Sequence, residues 1–183
     1  MSDEIITKGL PHKKLLPIIE KIRKKVLNHD VVKDIFDKYN LDKEEINLIP
    51  ICFAKIPVSA RTDHGIIYIN IDLLKDDDFE NNNDHYLAHE VTHFAQQTTG
   101  TKPTPGSDDD NYLDNPVEQE GFQNQTKYIS DTKGEEEAEE YIEKVLDRHR
   151  DNSVDDKKRN NRKENLLAIA FNSELFYQFC SKK

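Results

Sequence analysis

The stretch that decides how this chain is read is Asp84-His85-Tyr86-Leu87-Ala88-His89-Glu90-Val91-Thr92-His93-Phe94-Ala95-Gln96-Gln97-Thr98. Its apolar residues recur at helical spacing and Gly100 follows as a stop, which predicts a helix over residues 84–98. At about 100° per residue with His89 at 0°, His93 falls near 40° and Glu90 near 100°. Leu87, Val91, Phe94 and Thr98 gather between roughly 140° and 200°. The polar triad and the apolar stripe therefore lie on different faces. Two histidines four residues apart stand one turn apart on a helix, so both imidazoles can reach one Zn²⁺ at about 2.0–2.1 Å, with Glu90 beside them as a base. His85 lies on the same side, near 320°. It reads as a helix-start residue or as a further metal or substrate contact, although a fourth protein ligand would close a zinc site.

A hydrolytic zinc takes three protein ligands and keeps one position open, so the third must come from elsewhere. Asn115-Pro116-Val117-Glu118-Gln119-Glu120 offers two carboxylates at the start of a helix that should run to about Ser130. With Glu118 at 0°, Phe122, Gln125 and Ile129 fall within about 40° of it, and Glu120 falls near 200°. Glu118 shares the inward face and Glu120 points away. Two roles stay open for Glu118: metal ligand, or capping-box partner of the Asn115 N–H. A carboxylate on an apolar face is costly unless something positive meets it, which favours the ligand.

His-Glu-x-x-His followed by a helix-opening Glu, 25 residues past His93, resembles the gluzincin group of zinc metallopeptidases. The segments Leu87-Ala88-His89-Glu90-Val91-Thr92-His93-Phe94 and Glu118-Gln119-Glu120-Gly121-Phe122 are most similar to short gluzincins of the ImmA/IrrE type and to compact peptidase-like domains encoded by phages. The resemblance covers residues 46–130. It implies a zincin-like fold, Zn²⁺ on His89, His93 and Glu118, and hydrolysis of a peptide or protein substrate. In that scheme zinc activates a water and polarises the scissile carbonyl, while Glu90 takes the water proton and passes it to the leaving amine. It also implies that Gly65-Ile66-Ile67-Tyr68-Ile69-Asn70 is an edge strand on which an extended substrate pairs. Two positions depart from the family. Gly121 stands where Ala is usual, and Phe122 stands where several gluzincins carry an Asp or Asn that orients a ligand histidine.

Outward from this core, residues 11–28 and 30–36 read as two amphipathic helices. The proline-punctuated run 46–58 reads as a strand, and residues 66–70, after Asp63-His64-Gly65, as a second. Together they predict an antiparallel pair or small sheet, with the edge strand near Tyr68, packed on the His89 helix. Residues 76–83 and 101–114 read as loops. Ala138, Tyr141, Ile142, Val145, Leu146 and His149 mark a further helix, residues 151–164 a charged connector, and residues 164–180 an aromatic last helix. The fold class expected is α+β in a single domain over residues 1–183: N-terminal helices to 45, a catalytic core over 46–130 and C-terminal helices beyond. Tyr112, Tyr128, Tyr141 and His149 are candidates for donating a hydrogen bond to an oxyanion. Lys157, Lys158, Arg159, Arg162 and Lys163 form a basic cluster that reads as a solvated linker or as a docking site for an acidic partner.

Composition narrows the classes. The 183 residues carry a net charge of −10, the wrong sign for coating a phosphate backbone, so no nucleic-acid partner is expected. The longest apolar-rich run, residues 46–58, is broken by Pro50, Lys55 and Pro57 and falls short of the ~18 residues of a membrane span. No membrane partner is expected. Met1-Ser2-Asp3-Glu4-Ile5 lacks the pattern of a secretory signal, and Cys52 and Cys180 supply no disulfide framework, which predicts a cytoplasmic protein or one carried in a phage virion. Two other classes stay open: a catalytically silent zinc-holding binding or structural module, such as a phage or injection-system component, and a scaffold that binds no metal.

Overall fold

In the computed structural model, residues 12–102, 111–149 and 155–171 are described, and the chain divides into two compact units, Met1–Pro103 and Thr104–Lys183. The first opens with α1 (His12–Val26) and α2 (Asp30–Lys38). Leu15, Ile19, Ile22 and Val26 form the buried stripe of α1, and Val31, Val32, Ile35 and Phe36 that of α2. The His29 ring caps α2, its Nδ1 accepting from the Val31 N–H at 3.3 Å. The Arg23 guanidinium reaches from α1 to the carbonyls of Asn47 and Ile49, which ties the approach to the sheet onto the helix.

The sheet has three strands: β1 (Ile51–Ala54), β2 (Ala60–Asp63) and β3 (Ile66–Asn70). Their order is β1-β3-β2, with β1 parallel and β2 antiparallel to β3. The α+β class stands, but the sheet is mixed rather than antiparallel, and the strand of Tyr68 is central rather than an edge. The reason lies in the turn. His64 and Gly65 take φ of 50° and 75°, the two left-handed positions of a two-residue hairpin turn, which folds residues 60–63 back onto 66–70. That hairpin fills one side of β3, so β1 pairs on the other. The run 46–58 is not one strand, because residues 43–48 coil into a 3₁₀ turn and only 51–54, after Pro50, form a strand. Short α3 (Phe79–Asn82) interrupts the acidic loop, anchored by Phe79, whose ring meets Phe53 edge-on at 5.6 Å. Then α4 (His85–Thr98) runs beneath β2 and β3 and beside α1 and α2.

The second unit contains a 3₁₀ turn (Tyr112–Asp114), then α5 (Pro116–Lys133), α6 (Glu135–Arg148) and α7 (Asp156–Phe171). Its core gathers Leu113, Phe122, Ile142, Val145, Leu146, Leu166 and Leu167. The expected connector over 151–164 is corrected here, since residues 156–164 are already the first half of α7. This half carries few apolar residues and is held by charge. Arg159 pairs with Glu143 at 2.5 Å and Asp147 at 3.0 Å, and Lys163 with Glu143 at 3.0 Å. Arg162, 5% exposed, grips Asp114 with Nε on Oδ1 at 2.7 Å and Nη2 on Oδ2 at 2.6 Å. Lys158 joins Asp114 at 3.0 Å. Of the basic cluster, Lys158, Arg159, Arg162 and Lys163 are thus matched within their own unit against acidic groups of α6 and the 3₁₀ turn, while Lys157 is exposed. Leu175, Phe176, Phe179 and Cys180 lie outside the described residues, so the last helix is seen only to Phe171. Among the described residues no helix is long and apolar enough to cross a membrane.

Candidate metal centre

Along α4 the side chains of His85, Leu87, Ala88, His89, Glu90, Val91, Thr92, Ala95 and Gln96 are all buried. The polar face is therefore an interior surface, where ionisable groups need partners. His89 and His93 stand with ring centroids 4.7 Å apart and their Nε2 atoms 2.9 Å apart. Two nitrogens at about 2.0–2.1 Å from one tetrahedral ion would lie roughly 3.3 Å apart, so the pair is close to the spacing that a shared ion requires.

Glu90, 6% exposed, turns to the sheet. The Thr62 hydroxyl on β2 sits 2.8 Å from Glu90 Oε2 and 2.9 Å from the Glu90 carbonyl, both acceptors for its single proton. Gln97 Nε2 donates to the Thr62 carbonyl at 3.2 Å, so strand and helix are joined on both sides of the same residue. On the opposite flank of His93, Nδ1 lies 2.8 Å from Gln96 Oε1. The Gln96 carbonyl accepts from the Thr101 N–H at 2.9 Å and the Thr99 hydroxyl at 3.0 Å, which closes the end of the helix around it. His85 stands in the first turn with its ring 4.3 Å from that of Tyr86.

Glu118 is in the first turn of α5 and 2% exposed. Phe122, Gln125 and Ile129 are buried along the same stripe, whereas Glu120 is half-buried. The N-terminus of α5 has its own caps. Asn115 Oδ1 accepts from the Val117 N–H at 3.0 Å, and the Asn115 N–H donates to the Tyr112 carbonyl at 3.3 Å, the place a capping box would give to Glu118. His89, His93 and Glu118 are a group of residues that could hold a metal ion. Two imidazole nitrogens and a carboxylate are a donor set suited to zinc.

The oxyanion candidates are placed by packing. Tyr112 meets Phe122 edge-on at 6.0 Å and stacks on His149 at 5.0 Å, Tyr128 is fully buried in α5, and Tyr141 packs against the Leu113–Phe122 cluster. Thr62 and Gln96 are missing from the sequence reading. Gln96 could have been found, since seven residues past His89 puts it near 340°, on the histidine face. Thr62 had no signal, because the strand that carries it was not foreseen. Compared with models of known protein families, with curated proteins and with solved structures, the chain matches none.

Proposed function

We propose that the protein is a zinc-dependent metallopeptidase of the gluzincin type, in which His89, His93 and Glu118 hold the ion and Glu90 is the general base. The observation that carries this reading is the His89–His93 pair, His89 buried and His93 half-buried, with Nε2 atoms 2.9 Å apart and the buried Glu90 carboxylate beside His89 in the chain. A structural zinc site has no use for such a carboxylate. When bound, the metal would supply Lewis-acid activation of a water and a carbonyl. The chain's own part is proton handling. Glu90 accepts a proton from water and releases it to the leaving amine, and the Thr62 hydroxyl holds the carboxylate in one orientation.

Metal content and turnover test this together. Protein purified without a metal-affinity tag should carry about one zinc per chain, and His93→Ala and Glu118→Ala should lose it while Glu120→Ala keeps it. Across a diverse peptide library, Glu90→Gln should lower cleavage by about 10²–10⁴-fold with zinc content unchanged. Zinc retained in full by His93→Ala refutes the centre. A normal zinc content with identical wild-type and Glu90→Gln profiles assigns the chain to the silent binding modules instead.

A further inference from the structure

We infer that Gln96 is the positioning residue of His93: it fixes the imidazole tautomer and sets the affinity of the metal site. The inference rests on the reading of His93 as a ligand. In gluzincins that orient a ligand histidine from the second helix, the group is an acid or amide at the position that Phe122 fills here. This chain supplies an acceptor from within α4 itself, three residues past His93 and one helical turn away.

The chemistry follows from where protons can be. An amide oxygen carries none, so the hydrogen in the 2.8 Å contact between Gln96 Oε1 and His93 Nδ1 belongs to the ring. A neutral imidazole has one N–H, and with Nδ1 protonated the lone pair is left on Nε2. That is the nitrogen 2.9 Å from His89 Nε2, so without metal the hydrogen between the two rings belongs to His89. The result is a directed chain, from His89 Nε2–H to His93 Nε2 and from His93 Nδ1–H to Gln96 Oε1. His93 is thereby held in the ligand tautomer before any ion arrives. The Gln96 side chain is itself confined by burial, 2% exposed, on a residue whose main-chain carbonyl is bonded by Thr101 and Thr99. A rigid acceptor orients a ring better than a mobile one, and such partners typically change metal affinity by 10–100-fold.

The test uses the full chain as wild type, Gln96→Leu, Gln96→Glu and, as reference, His93→Ala. In the metal-free proteins, ¹⁵N NMR of the imidazoles should show His93 as the Nδ1–H tautomer in wild type and Gln96→Glu, shifting toward Nε2–H in Gln96→Leu. Competition for Zn²⁺ against a chromophoric chelator should show Gln96→Leu weaker by about 10–100-fold and Gln96→Glu no weaker than wild type. An Nε2–H tautomer at His93 in wild type overturns the inference, and this reading stands even if Gln96→Leu does not fold. Equal zinc affinity of wild type and a folded Gln96→Leu overturns it as well. Wild type binding zinc no better than His93→Ala is a separate failure, that of the metal reading itself.

Discussion

Thr62 illustrates how much one hydroxyl can decide in an interior. Its proton serves the Glu90 carboxylate at 2.8 Å, and its carbonyl receives Gln97. Thr62→Val keeps the shape and β preference of the side chain and removes only the donor, leaving a buried acceptor short of a partner. The expected loss is about 1–3 kcal/mol of unfolding free energy, read from urea melts, with Thr62→Ser close to wild type. Under the proposed function, cleavage should fall with it, because Glu90 loses the bond that orients it. A Thr62→Val protein as stable as wild type would show that the carboxylate finds an equivalent donor. None of this was legible beforehand. The His89–Glu90–His93 face and the inward phase of Glu118 could be read because helical periodicity is local, repeating within a few residues of the motif. A threonine 28 positions upstream of Glu90 meets it only through tertiary packing.

Among the elements, those held by apolar stripes were readable and those held by turns or charge were not. The stripes of α1, α2, α5 and α6 appear where their spacing predicts them, except that Leu16, counted with the apolar positions of α1, is exposed. By contrast β2, Ala60-Arg61-Thr62-Asp63, has no alternating apolar pattern and exists because the His64-Gly65 turn presents it to β3. The first half of α7 likewise owes its place to ion pairs. Its anchor is Asp114, whose carboxyl is lowered to about 2, first by hydrogen bonds from Arg162, with Lys158 adding to them against the opposing effect of burial. A carboxylate depressed in the folded state stabilises above its unfolded value near 3.8, and that contribution is lost as pH falls toward 2. Asp114→Asn should therefore melt earlier than wild type at neutral pH, with the gap closing between about pH 4 and pH 2 in a thermal titration. A gap constant over that window would mean that the pair contributes through shape rather than charge.

For the whole molecule, a metal ligated only by the folded chain adds stability by mass action, about 4 kcal/mol when free zinc stands 1,000-fold above its dissociation constant. In a chain of this length each kcal/mol moves the melting temperature by about 2–4 °C. Under the proposed function, zinc should raise the melting temperature of wild type by roughly 10 °C, excess chelator should reverse this, and His93→Ala should respond to neither. A melting curve indifferent to zinc in wild type would count against the centre. The mixed sheet bears on a different hazard. In the β2–β3 register Thr62 faces Ile67 at a site without ladder bonds, so its backbone carbonyl looks outward along the rim of the sheet. Rims of that kind are where polypeptides recruit copies of themselves into fibrils and swapped assemblies. Gln97 stops the outward carbonyl at Thr62 with a side-chain amide, and β2 is only four residues long. The contact that seats the sheet on the motif helix thus also guards against self-association, and replacing Gln97 with an aliphatic residue would reopen that rim to strand exchange.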